Sequence, residues 1–308
     1  MGCPFLLRQT YRMFTCRKRN PLSRPRTQVL WTPPVSNSRS VSNSSMSIPK
    51  DHSYLFDLQG FIVLEDVLTQ EECNVILDVL SDLEAKEYED TWIEAIGGGR
   101  PTKEAQRENQ IRLNGLPRLD PIFDSLIGHD RVLPYLHEFV GEPQLINTWS
   151  ISKSKGAAFS GWHRGIPTTD HAYRNGIIRT RMLNTVYFLK DNGPEDGCVV
   201  AIPGSHKSNI DIDLQARPAY EMPGATPITG RAGDCLIFSE ATLHDGLPKT
   251  TDGVRTNLYY NYVHAHYNVM TREPRNCHHF YFPPEVRSRF DDTRLELTQW
   301  MDLARWDY

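Results

Sequence analysis

The sequence predicts a mainly β domain: an antiparallel barrel or jelly roll with helices on one outer face. Two observations carry this expectation. From Gln144 onward the chain divides into short apolar runs separated by Gly, Pro and Asp, as many short strands do. Two helical patterns precede those runs, an order that suits a sheet covered by helices on one side.

The elements follow in chain order. Asp57 to Val67 reads as a turn and a short strand over Phe61, Ile62, Val63 and Leu64. Thr69-Gln70-Glu71-Glu72 has the spacing of a capping box, and behind it Cys73, Ile76, Leu77, Leu80 and Leu83 recur as one face of a helix. Residues 84–115 are charged around Gly97-Gly98-Gly99 and read as a flexible loop over the site. A second helix is expected from Asp120 to Val140. The strand candidates are Leu145 to Ile151, Arg181 to Leu189, Cys198 to Ile202, Asp234 to Phe238 and Arg255 to Val263. A last helical pattern involves Val286, Phe290, Leu295, Leu297, Trp300 and Leu303.

Charge divides the 308 residues unevenly. Residues 1–50 carry nine basic side chains and no acid, leaving 25 basic against 38 acidic residues in 51–308. An acidic body argues against nucleic acid as a partner, because phosphate binding draws on clustered Lys and Arg. The Arg-rich, then Ser-rich, acid-free segment 1–50 has the features of a mitochondrial or plastid targeting sequence, the rival reading being a plain extension ahead of Met46. The expected organisation is therefore that N-terminal extension followed by one domain over 51–308. Its location is intracellular, organellar if the extension is a presequence and cytoplasmic otherwise. No stretch approaches 18 consecutive apolar residues, so no membrane span is expected. The six cysteines are widely separated with no Cys-X-X-Cys pair, which disfavours a disulfide framework or a Cys-rich zinc site.

The chemically dense segments are Gly161-Trp162-His163-Arg164-Gly165 and the run from Asp234 to Gly246, which contains His244. A jelly roll can bring such distant strands together, and two imidazoles are suitable Fe(II) ligands that leave positions open for a 2-oxo acid and O2. Arg255 opens the next apolar run, and an inward guanidinium there could grip a carboxylate as a fork. Each of these residues alone also has an ordinary structural reading, as a loop histidine, a turn at Gly204-Ser205-His206-Lys207, or a surface arginine.

Taken in order, several segments resemble the phytanoyl-CoA dioxygenase family of Fe(II)/2-oxoglutarate oxygenases. They are Leu58-Gln59-Gly60-Phe61-Ile62-Val63-Leu64, Leu68 to Cys73, Trp162-His163, Gly197 to Lys207, Gly233-Asp234, His244 and Arg255. The resemblance implies a double-stranded β-helix, the cupin-like jelly roll. It implies iron held by a His-X-Asp/Glu pair and a distal His, here His163 and His244, with 2-oxoglutarate on Arg255 and O2 as co-reactant. Asn184 and Asn147 are candidates for hydrogen bonds to the cosubstrate or substrate, and Trp149, Trp162, Tyr187 and Tyr259 for the pocket wall.

The departure from the family pattern is at Gly165, where the carboxylate ligand belongs. Three accounts stand open: a displaced ligand, Asp170 or His171; a water-filled position that still supports hydroxylation; or a halide, as in halogenases of this superfamily. The expected function is oxidation, chiefly hydroxylation, of an aliphatic C–H of a small molecule. Rival readings are a halogenase, a catalytically silent scaffold domain and a cupin-like isomerase without a keto acid.

Overall fold

Thr69 opens the first long helix as the capping box predicts. In the computed structural model its hydroxyl accepts the Glu72 N–H (3.2 Å) and its own N–H donates to the Glu72 carboxylate (2.8 Å); a polar N-cap is worth about 1 kcal/mol over alanine. Residues 47–89, 102–209, 217–266 and 282–301 are described here, and they lie in one compact unit, Met46–Tyr308. The basic segment 1–46, Gly97-Gly98-Gly99 and Leu303 fall outside them.

The helices are α1 (Lys50–Gln59), α2 (Gln70–Glu84), α3 (Leu116–Leu119), α4 (Leu133–Phe139), α5 (Pro284–Arg287) and α6 (Asp292–Leu297). The strands are β1 (Phe61–Leu64), β2 (Lys103–Arg107), β3 (Gln110–Asn114), β4 (Pro143–Lys153), β5 (His171–Arg174), β6 (Ile177–Thr180), β7 (Met182–Phe188), β8 (Val199–Ala201), β9 (Thr226–Ile228), β10 (Cys235–Ser239), β11 (His244–Gly246) and β12 (Arg255–His264). A seven-stranded antiparallel sheet, ordered β1-β10-β7-β12-β4-β3-β2, faces a three-stranded sheet ordered β11-β8-β9. This is the expected jelly roll.

Alternation along the large sheet decides which side chains reach which layer. On β12, Leu258, Tyr260 and Tyr262 join the core that α2, α4 and the C-terminal helices cover. The intervening Arg255, Asn257, Tyr259 and Asn261 point the other way, toward the small sheet. Gly60 closes α1 with φ 87°, a left-handed cap that also admits the close approach of Thr242 and His206.

Three expectations change. Helix α1 replaces the turn expected from Asp57, and its apolar residues are mostly exposed, with only Phe56 buried. The helix expected from Asp120 to Val140 is a 3-10 turn (Pro121–Leu126) and the short α4, divided by Gly128 at φ 58°. Residues 103–114 are a hairpin that extends the large sheet beyond β4, where a flexible loop was expected. The hairpin β5–β6 was not anticipated. Among the described residues no helix is long and apolar enough to cross a membrane.

Candidate active site

His163 and His244 meet through their backbones. The His163 N–H donates to the His244 carbonyl (3.2 Å) and the His244 N–H to the His163 carbonyl (3.1 Å). Opposed residues of an antiparallel bridge project side chains to one face, and the ring centroids stand 4.3 Å apart. Each Nδ1 lies against the carbonyl two residues earlier in its own segment, Gly161 at 3.1 Å and Thr242 at 2.8 Å. A carbonyl only accepts, which assigns the Nδ1 proton and leaves the Nε2 lone pair for a ligand. Burial, reinforced by His163, holds the His244 pKa down at about 3, so the ring stays neutral.

The same two segments bring Glu240 to the pair. The N–H of Gly165 donates to the Glu240 carbonyl at 2.9 Å. Glu240 is buried, and its Oε2 lies 3.9 Å from His244 Nε2. Its Oε1 accepts from the Asn184 and Asn261 side-chain amides. Burial pushes its carboxyl above the usual carboxylate range, while His163, the Gly165 N–H and Asn184 pull it back. Among the described residues no three His, Cys, Asp or Glu side chains form a ready-made metal-binding group. The two imidazoles fit a divalent cation as donors, and Glu240 is an acid beside them.

These groups open into a cavity of about 1060 Å³ between the sheets, bounded also by Trp149, Tyr259, Arg112, Lys153 and Arg255. Trp149 and Tyr259 stack at 5.1 Å, with the Arg112 guanidinium 4.5 Å from the Trp149 ring centre. Arg255 is buried and donates to the Asp196 and Gly197 carbonyls. Lys153 is its cross-strand neighbour on β4. Two cationic side chains at one end of the cavity suit an anionic ligand.

Of the residues expected at the site, His163, His244, Arg255, Asn184, Trp149 and Tyr259 line this cavity. Tyr187 does not. It occupies the opposite parity of β7, where its hydroxyl donates to the Leu126 carbonyl in the helix-side core. Trp162 turns outward from His163 and packs on Phe159, Val200 and Leu243. Asn147 is buried across β12 from Asn184 but is not part of the cavity wall. Asp170 sits in a 3-10 turn with its carboxylate 3.4 Å from Arg181, beside a different cavity. His171 pairs with His206 under Phe56. Glu240, Lys153 and Arg112 were missed. A lone acid in the apolar run before His244 was the available signal for the first.

Residues 56–257 match the Phytanoyl-CoA dioxygenase (PhyH) family. The chain belongs to this family. Among curated relatives, the ectoine dioxygenase of Nocardia farcinica is 23% identical over 230 residues, covering 66% of this chain and 74% of that protein. Dioxygenase lolE1 of Epichloe uncinata is 26% identical over 145 residues, covering 44% and 53%. In fold the chain resembles HygX from Streptomyces hygroscopicus, whose crystal structure holds nickel and 2-oxoglutarate. The TM-score is 0.59 at 22% identity, with 76% of this chain and 96% of HygX covered. A second HygX structure, with iron bound, gives 0.60 at 20% identity. Family membership and the named relatives identify this phytanoyl-CoA dioxygenase family protein as a dioxygenase.

Proposed function

We propose that this protein uses Fe(II), 2-oxoglutarate and O2 to oxidise, chiefly to hydroxylate, an aliphatic C–H bond of a small molecule. The observation that carries the reading is the convergence of His163 and His244, both with Nε2 turned out for a ligand, in a cavity that also holds Arg255. When bound, iron supplies the O2 chemistry that side chains cannot run. HygX holds 2-oxoglutarate in the same fold, and the dicarboxylate suits the cationic end of this cavity.

The chain's own residues have separate tasks. His163 and His244 hold the metal. Arg255 grips the distal carboxylate of 2-oxoglutarate, with Lys153 adding positive charge. Asn184 orients Glu240 next to the imidazoles. Trp149 and Tyr259 form a flat apolar wall for the substrate, which leaves the small polar groups to fix its orientation. The cavity volume of about 1060 Å³ accommodates cosubstrate and a small molecule together, since single-ligand pockets run from about 300 to 1,000 Å³.

The test is formation of succinate from 2-oxoglutarate by the full-length protein, with Fe(II) and O2 each omitted in turn. Turnover that requires both supports the reading. Absence of turnover, together with no visible charge-transfer absorption on anaerobic mixing with Fe(II) and 2-oxoglutarate, would sink it. Among the rival readings, halogenation needs an open halide position, and the Glu240 carboxylate beside Gly165 speaks against one.

A further inference from the structure

Building on the oxygenase reading, we propose that Glu240 supplies, from the turn between β10 and β11, the carboxylate that Gly165 lacks, so that iron is held by His163, His244 and Glu240. The backbone makes this substitution possible. Gly165 and Ile166 both donate to the Glu240 carbonyl, at 2.9 and 3.4 Å, so position 165 lies directly against residue 240. A Cβ at Gly165 would stand 2.2 Å from Glu240 Oε2 and 2.9 Å from its carboxyl carbon. The two positions therefore compete for one volume. A carboxylate can be carried there by residue 165 or by residue 240, and glycine at 165 is what admits Glu240.

Its remaining contacts orient it for the role. Oε1 is occupied by the Asn184 and Asn261 amides, which leaves Oε2 toward His244 Nε2 at 3.9 Å. Facial ligands with bonds of about 2.0–2.2 Å stand about 3 Å apart, so Oε2 must close by about 1 Å from its 3.9 Å separation to bind. Asn184 and Asn261 give hydrogen bonds but no charge. A buried acid is costly without a countercharge, and a cation between the imidazoles provides one. Two histidines and a carboxylate with open positions form the facial donor set that suits non-haem Fe(II).

Other acids near the histidines are committed elsewhere. Asp245 accepts the N–H groups of Ser160 (2.5 Å) and Gly161 (2.7 Å). Asp170 pairs with Arg181. Glycine at 165 therefore marks a relocated ligand, and the position that a halogenase leaves for chloride is filled by the protein.

The test is metal binding by the full-length apoprotein under anaerobic conditions. Fe(II) is titrated calorimetrically, and Co(II) is followed by its visible absorption, which reports the donor set without turnover. Glu240→Ala is expected to weaken binding at least about 100-fold, because loss of a supporting partner alone commonly costs 10–100-fold. Glu240→Gln keeps the volume and an oxygen for the amide contacts, so it decides the matter if the alanine variant does not fold. It should lose affinity similarly. The double variant Gly165→Asp/Glu240→Ala, which returns the carboxylate to position 165, should recover to within about tenfold of wild type and restore the Co(II) spectrum. Unchanged affinity and an unchanged Co(II) spectrum in a folded Glu240→Gln protein would overturn the assignment of Glu240 alone. A wild-type protein that takes up neither metal would overturn this assignment and the oxygenase reading together.

Discussion

Two histidine pairs in this fold have nearly the same internal geometry and opposite surroundings. His163 and His244 have centroids 4.3 Å apart, and so do His171 and His206. In the first pair each Nδ1 is tied to a carbonyl, Nε2 is presented to a cavity, and a buried acid stands alongside. In the second pair His206 Nε2 lies 3.0 Å from the Asp57 carbonyl, while both ring nitrogens of His171 have no hydrogen-bond partner among the described residues. Phe56 and Gly60 pack over that second pair, and neither ring lines the large cavity. Ring proximity alone therefore does not separate the two pairs. What sets the first apart is the tautomer fixed from behind, a buried acid alongside and an open side.

Removing one ring from each pair gives the largest contrast. His244→Ala should abolish measurable Fe(II) binding and reduce succinate formation by at least about 1,000-fold, on the order expected when a group essential to the reaction centre is deleted. His206→Ala should leave metal affinity within about threefold. It should instead lower stability by about 2–4 kcal/mol, since it opens a void at a fully buried site and removes a partner of the Asp57 carbonyl. Calorimetric metal titration and denaturant unfolding of both variants separate the two effects. If His206→Ala lost iron and His244→Ala kept it, the functional roles of the pairs would be exchanged.

A smaller effect sharpens what makes the first pair's cavity functional. Arg255→Lys keeps the charge but loses the planar fork. The apparent affinity for 2-oxoglutarate should fall by roughly 10-fold or more, since a hydrogen bond to a charged group contributes about 1.5–3 kcal/mol. Metal affinity in the absence of cosubstrate should stay near wild type. A variant with unaltered 2-oxoglutarate dependence would move the cosubstrate away from Arg255.

How far these distinctions could be read from sequence depends on what each residue faces. Strands β1, β4, β7, β10 and β12 are apolar on their helix-facing side and so stood out as runs; the capping box of α2 is a purely local signal. Hairpin β2–β3 was misread because Gln110, Arg112 and Asn114 are buried polar residues, and in sequence a polar cavity wall looks like a solvated loop. His163, His244 and Arg255 were expected from the resemblance to a family rather than from spacing alone, and they line one cavity. Glu240 carries only a weak local signal, a lone acid in an apolar run, because its place beside Gly165 comes from a backbone crossing between segments 75 positions apart in the sequence. The Tyr187 and Trp162 expectations failed on side-chain parity, which places neighbours of a site residue on the opposite face.

The second pair should be visible in the pH dependence of stability. Burial lowers the His171 pKa to about 3 and the His206 pKa to about 4, with Asp57 raising both and Lys207 lowering both. Unfolded histidine titrates near 6.5, so between there and pH 4 the unfolded chain binds more protons than the native one. Stability is therefore fully present above about pH 6.5 and is lost as pH falls toward 4 and 3, at up to about 1.4 kcal/mol per pH unit per histidine. Glu84, Asp124 and Asp245, raised by burial, act in the opposite sense. The comparison that isolates the pair is His171→Phe against wild type: melting temperature should fall less in the variant between pH 7 and 5. Parallel curves would show that folding does not lower the His171 pKa.

The smallest effect belongs to Asp170, and its smallness is informative. Its carboxylate faces Arg181 at 3.4 Å, and that arginine side chain is 58% exposed. Ion pairs open to solvent contribute about 0.2–1 kcal/mol, because water screens the attraction and two side chains must be ordered to make it. Asp170→Asn keeps the size and the turn. It should change stability by no more than about 1 kcal/mol, and Fe(II) affinity and succinate formation should stay within about twofold of wild type. The placement explains why: the Asp170 N–H bonds the Pro167 carbonyl, and its own carbonyl accepts from the Arg181 N–H, so the turn fixes the residue against β7's entry and away from the imidazoles. A loss of iron binding in Asp170→Asn as large as that in Glu240→Gln would mean that the turn rearranges around the metal and carries its carboxylate to the site. With iron binding intact in Asp170→Asn and lost in Glu240→Gln, the carboxylate would belong to the turn that leads into His244, with no contribution from the turn that follows His163.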